Sequence, residues 1–192
     1  MSENAARQLV TMFQKIANAI EDNKDYLSEL DGAIGDGDHG ITMSIGFLAV
    51  TAEIAKMDID KVDPAAIMST AATAFLNAVG ASTGPLYATA FRRAAKALAN
   101  TATLDLHGCA AMLRAIATGI AERGKGQRGD KTMLDTWLPA TRPNCSGRTC
   151  WPLPKREPPA PGPWSLRRGE PPASANARSA MSTPERLRRC RF

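Results

Sequence analysis

Ten of the 13 prolines in this 192-residue chain lie after residue 140, and that asymmetry bounds every fold the chain can adopt. Proline removes a backbone donor and clashes with the preceding helical turn. Runs such as WPLPKREPPAPGP therefore admit neither helix interiors nor central strands. Regular structure is expected in residues 1–140 as one helical domain. Residues 141–192 read as a Pro/Arg-rich tail, disordered when taken alone and of the kind proline-binding modules take. Charge divides at the same place. The tail holds ten Arg, one Lys and three Glu, a net +8 against +5 for the whole chain, which leaves −3 on the first 140 residues. The basic balance belongs to the tail. No aromatic or helical pattern organises its arginines, which tells against a specific nucleic-acid site.

Within the first 140 residues the apolar positions recur at helical spacing. Leu9, Phe13, Ile16 and Ile20 make one stripe, and a short acidic helix is expected over about 25–30. After the glycine-rich stretch 32–40, a second long helix is read with Ile41, Ile45, Leu48 and Ile54 at its apolar intervals. Asp63-Pro64 predicts an N-cap followed by proline at the first helical position, opening a helix through Ile67, Ala71, Ala74, Phe75 and Ala78. The loop GASTGP at 80–85 starts the next helix, which ends near Asn100. Thr103 or Asp105 begins another, carrying Met112, Leu113, Ile116 and Ile120 to the turn RGKGQRGD. A last helix is predicted over 131–138. No period-2 strand is evident, and aromatics are only 5% of a chain rich in alanine, so the expected fold class is all-α, an antiparallel helical bundle.

Other classes fall away. No apolar run approaches the ~20 residues a bilayer requires, so no membrane partner is expected. The segment MSENAARQLVTMFQ lacks the basic and apolar regions of a secretory leader, so a cytosolic location is expected. Cys109, Cys145, Cys150 and Cys190 show no metal-ligand spacing and are read as free thiols. His39 and His107 are the only histidines, which argues against a zinc site or a histidine-rich catalytic cluster.

The chemistry concentrates in LDGAIGDGDHG, where Asp31, Asp36 and Asp38 share ten residues with four glycines. The match of GDGDHG to G-x-G-x-x-G is a decoy. No hydrophobic strand precedes it, and it would set carboxylates against a pyrophosphate. A calcium loop counted from Asp36 fails too, placing Gly40 at position five and Phe47 at position twelve. Carboxylates on a glycine loop entering a helix suit Mg²⁺, which neutralises and bridges phosphates. The alternative is a solvated turn in which Gly and Asp supply only turn chemistry. His39 is either a polar contact to a ligand or a helix-start residue without a role. The backbone of GASTGP, with Ser82 and Thr83, offers a second phosphate-receiving helix start. RGKGQRGDKT offers a third loop, with Lys125, Arg128 and Lys131. Taken alone, the second and third loops read better as empty turns, but all three precede helices, so a bundle can gather them at one end.

Taken together, LDGAIGDGDHG, AVGASTGPLYATAF and ERGKGQRGDKTMLDTWLPA resemble, in order and spacing, the nucleotide-binding L subunit of dihydroxyacetone kinases, over about residues 1–140. The resemblance implies an eight-helix antiparallel barrel with nucleotide at one end. It implies Asp31, Asp36 and Asp38 as ligands of two Mg²⁺ ions on the phosphates of ADP or ATP. It also implies nucleotide contacts at His39, Gly40, Ile41, Thr42, Ser82, Thr83, Gly124 and Met133, although the family's frequent GGASG reads GASTG here. No residue of this chain is expected to act as a general base, so none is assigned as catalytic. The implied reaction passes a phosphoryl group to dihydroxyacetone held on a separate K subunit. The donor is ATP or a phosphotransferase-system phosphocarrier that recharges ADP. A kinase component for another short ketose such as erythrulose, a non-catalytic remnant, and a homodimer all stay open.

The tail departs from the family, which continues through a nucleotide-covering segment and two more helices. WSLRRGEPPASANARSAMSTPERL can be encoded so that a one-position shift of frame reads VATKGRASRLGERSIGHVDPGAA, which resembles that segment. The expectation is a frameshift near Ala140 that replaces the last helices, exposes apolar faces and weakens nucleotide retention.

Overall fold

A computed structural model of the chain describes residues 4–141 except 81, 100 and 102. The readings of 142–192, including the tail's disorder and the frameshift, lie outside the described residues, as do Cys145, Cys150 and Cys190.

Among the described residues there are seven helices and no strand: α1 (Ala5–Asp22), α2 (Lys24–Gly32), α3 (His39–Ile54), α4 (Pro64–Ala78), α5 (Thr83–Ala97), α6 (Leu106–Gly124) and α7 (Leu134–Ala140). The all-α expectation holds. Side-chain caps start three of them. Asn4 accepts from the Ala6 N–H at 3.0 Å, Asp63 from Ala65 at 3.0 Å, and Asp105 from Gly108 at 2.7 Å. Each satisfies a donor that the first helical turn leaves open. Pro64 stands at the first helical position, where its missing N–H costs nothing.

Each long helix packs on its chain neighbour, α3 on α4, α4 on α5 and α5 on α6, while α1 lies against α3 and α4. The short acidic helix α2 packs on α3, and α7 on α6. The core is apolar and partly aromatic. Leu9 and Phe13 come from α1, Val50 and Ile54 from α3, Ile67 and Phe75 from α4, and Ile120 from α6, all essentially inaccessible. Phe75 is central to it, with ring centroids 5.2 Å from Phe47, 4.9 Å from Tyr87 and 6.1 Å from Phe91. The contacts with Phe47 and Phe91 are edge-to-face and that with Tyr87 is tilted at 34°, and such aromatic pairs add to burial. Burial pushes the Tyr87 hydroxyl up to about 12.

Two sequence readings change. On α3 the stripe Ile41, Ile45, Leu48 faces outward, each about half exposed. The core face is instead Met43, Phe47 and Val50, together with Ile54, the one member of the expected stripe that is buried. That helix is apolar nearly all round, so periodicity had no polar face from which to fix the inward one. The last helix starts at Leu134, not 131, because Lys131 sits in the left-handed region at φ 57° and cannot belong to a right-handed turn.

Candidate metal and nucleotide site

The aspartate loop joins the end of α2 to the start of α3. Asp31 is in the last turn of α2, and Asp38 occupies the N-cap position of α3. Between them Gly37 takes φ 76°, a left-handed conformation that costs a residue with a Cβ about 1–2 kcal/mol. Its N–H donates to Asp31 Oδ2 at 3.0 Å, folding the loop back onto α2.

This turn gathers the acids. Asp31, Asp36 and Asp38 each offer a carboxylate oxygen, and the three oxygens lie within 4.8 Å of one another. Among the described residues no other group of three acidic, histidine or cysteine side chains converges in this way. Asp36 above all, then loss of hydration and Asp31, holds the Asp38 carboxyl above its ordinary range. Like charges this close disfavour ionisation unless a cation lies among them. The donor set is all oxygen, exposed on one side and hard, and it fits Mg²⁺ or Ca²⁺ better than a softer metal.

The acids form one wall of an open cleft of about 470 Å³, lined also by His39, Thr42, Gly80, Ser82 and Thr83. His39 and Thr42 come from the first turn of α3; the Thr42 N–H donates to the Asp38 carbonyl at 2.9 Å, and the N–H groups before it lack an intrahelical partner. Ser82 and Thr83 open α5 across the cleft. Helix starts carry a positive partial charge that favours phosphate. A larger groove of about 640 Å³ runs along Glu53, Ser69, Thr73 and Asn77, but no charged groups converge in it.

The other implied contact residues sit differently. Gly40 is buried against α2, and Ile41 is 52% exposed and does not line the cleft. Gly124 ends α6, where a Cβ would come 3.2 Å from Leu86 Cδ2 on the first turns of α5. Met133 packs against the core just before α7. Neither Gly124 nor Met133 lines the cleft, though the contact with Leu86 places the end of α6 at the end of the bundle where α5 begins. The loop after it is organised by carboxylates. Asp135 accepts from the Gly129 N–H at 2.7 Å and from Thr132 at 3.3 Å, and Asp130 accepts from Gln127 at 2.7 Å. Gly80 is a lining residue that the site reading did not single out. Its position in the GASTGP loop was the available signal.

The fold and this cleft define a helical domain that carries an acidic, cation-type cluster facing a small-residue helix start. Residues 33–144 match the family model described as the DAK2 domain, and the chain belongs to that family. Asp36 and Asp38 fall inside the match and Asp31 two residues before it. The chain is 41% identical over 122 residues to the ADP-binding subunit DhaL of PEP-dependent dihydroxyacetone kinase 1 of Listeria innocua, covering 62% of this chain and 59% of the relative. It is 37% identical over 132 residues to the corresponding Escherichia coli subunit, covering 69% and 62%. It is 30% identical over 139 residues to an L-erythrulose 1-kinase of Mycolicibacterium smegmatis, covering 72% of this chain and 24% of that one. The chain thus spans about three fifths of the length of the DhaL subunits it matches. Among the described residues no helix is long and apolar enough to cross a membrane.

Proposed function

We propose that this chain is the nucleotide-binding component of a dihydroxyacetone-kinase-type phosphotransferase. The observation that carries the reading is the convergence of Asp31, Asp36 and Asp38 on a cleft whose opposite wall is the Ser82–Thr83 helix start. The three carboxylates hold the Mg²⁺, two ions by family likeness, and bound Mg²⁺ neutralises phosphoryl oxygens during transfer. The first turn of α3, with His39, Gly40, Ile41 and Thr42, and the hydroxyls of Ser82 and Thr83 receive the phosphates of ADP or ATP. Gly124 and Met133 border the nucleotide from the α6–α7 side. The chain's own residues bind and orient, and none is asked to move a proton.

The acceptor is dihydroxyacetone held on a K subunit, with a phosphocarrier protein as donor in the PEP-dependent case. Relatives named as DhaL subunits support this reading. A second reading, transfer to erythrulose, is favoured by similarity to the erythrulose kinases. The helical domain 1–140 carries the site in either case, in the cytoplasm. Calorimetry of ADP with the full chain in Mg²⁺ and in EDTA tests the proposal. Heat is expected only with Mg²⁺, and its absence in both would leave a non-catalytic remnant. Transfer assays with a K subunit and each ketose then decide the acceptor.

A further inference from the structure

The aspartate cluster depends on how α2 lies along α3, and four paired positions set that register. Glu21 faces Ser44, the Lys24 carbonyl faces Gly40, Ser28 lies against both Gly40 and Gly37, and Gly32 meets Gly37. A Cβ at Gly40 would strike the Lys24 carbonyl oxygen and come 2.8 Å from Ser28 Oγ, so the two backbones approach more closely than any other residue permits. Gly40 and Ser44 are four apart and stack on one face of α3. That face meets the α1–α2 corner, while Met43, Phe47 and Val50 face the core.

Ser44 is the most deeply buried polar residue among the described residues, 6% exposed. Its Oγ donates to Glu21 Oε2 at 2.5 Å, and Glu21 Oε1 accepts from Lys24 Nζ at 2.5 Å. Burying a hydroxyl is unfavourable without a partner, and alanine serves the neighbouring buried positions of this core well. We propose that Ser44 is a positioning residue: its bond to Glu21 clasps one end of the α2–α3 register whose other end sets Asp31 against Asp36 and Asp38. The Gly37–Asp31 hydrogen bond reports on that far end. Glu21 closes α1 and Lys24 opens α2, so the clasp also fixes the corner from which α2 returns to the cleft. The inference rests on the metal–nucleotide reading only for its binding readout.

The test compares the full chain with Ser44→Ala, Glu21→Ala and Glu21→Gln, using amide hydrogen exchange followed by NMR and Mg²⁺-dependent ADP calorimetry. Ser44→Ala and Glu21→Ala are each expected to speed exchange at Gly37 by about tenfold and to weaken ADP binding by a similar factor, in line with loss of a hydrogen bond to a charged group. Amides of α4 and α5 should keep their rates. Glu21→Gln retains an acceptor oxygen for Ser44 and should stay within about twofold of the parent in both readouts. Unchanged exchange at Gly37, or acceleration spread equally through α4 and α5, overturns the positioning role. Should Ser44→Ala not fold, Glu21→Ala severs the same bond from the exposed side and decides it. Absence of Mg²⁺-dependent heat in the parent chain defeats the functional reading alone, and exchange at Gly37 still decides the clasp.

Discussion

The Gly37 N–H donates to Asp31 Oδ2 at 3.0 Å, and this contact, between residues six positions apart, closes the loop that brings the Asp31 carboxylate beside Asp36 and Asp38. The bond uses one of Asp31's two oxygens to hold the loop. It requires Gly37 at φ 76°, so the sequence feature GDGD serves geometry as much as charge.

Replacing Gly37 by alanine should therefore cost about 1–2 kcal/mol of stability, since a Cβ at this φ is strained even though it would meet only ordinary contacts, 3.5 Å from the Ser28 carbonyl oxygen and 3.7 Å from Gly32 Cα. Urea denaturation of the two proteins measures this. A change in midpoint with unchanged slope is the expected pattern, and no change would mean that the loop relaxes without cost.

In the core, a Cβ on Gly46 would strike the Phe75 ring, which is held among Phe47, Tyr87 and Phe91. Gly46→Ala should destabilise by about 1–3 kcal/mol through overpacking, although alanine is the better helix former. Thermal unfolding distinguishes the two effects by sign.

What the sequence disclosed follows from contrast between faces. On α1 the stripe Leu9, Phe13, Ile16 and Ile20 stood among mostly polar neighbours; Leu9 and Phe13 are buried, and Ile16 and Ile20 pack half-buried against the core. The Asp63-Pro64 start was legible because capping chemistry is local. On α3 apolar residues lie on nearly every side, so the inward face was set by partners far along the chain, Phe75 and Phe91 among them, which no local pattern reveals. The three acids could be picked out by composition, and the distance between them could not. It depends on Gly37, on the Gly40 approach and on the Ser44–Glu21 bond, all of which are tertiary. The carboxylates of Asp130 and Asp135 had no signal distinguishing loop organisers from ligands.

Asp135 supplies a pH prediction. The Gly129 N–H foremost, with those of Thr132 and Lys131 and the nearby Arg128, holds its carboxyl below the ordinary range of about 3.8. A depressed folded pKa means stability that is fully present above the unfolded value and lost as pH falls through the folded one. The stability difference between the parent and Asp135→Asn should thus be constant near neutrality and begin to shrink below about pH 4. Denaturant midpoints measured across that range check it. A difference that persists unchanged into strong acid would show that the carboxylate's charge is irrelevant to the loop.

The final prediction separates stability from function at the acids themselves. Asp38 is repelled by Asp36 and Asp31, so its charge opposes the metal-free fold. Asp38→Asn keeps the shape of the side chain and removes one of three like charges. Without metal the variant should unfold at the same temperature as the parent or a higher one. With Mg²⁺ and ADP the order should reverse, because ligand binding stabilises the parent in proportion to the logarithm of ligand over Kd. The variant should lose roughly 100-fold in Mg²⁺-dependent ADP affinity, at or beyond what removing a mere support of a metal ligand costs. Thermal unfolding with and without Mg²⁺–ADP reads both effects in one experiment. A variant less stable than the parent in EDTA would mean that Asp38 serves the fold, whereas the crossing of the two curves is the signature of a carboxylate kept for a cation.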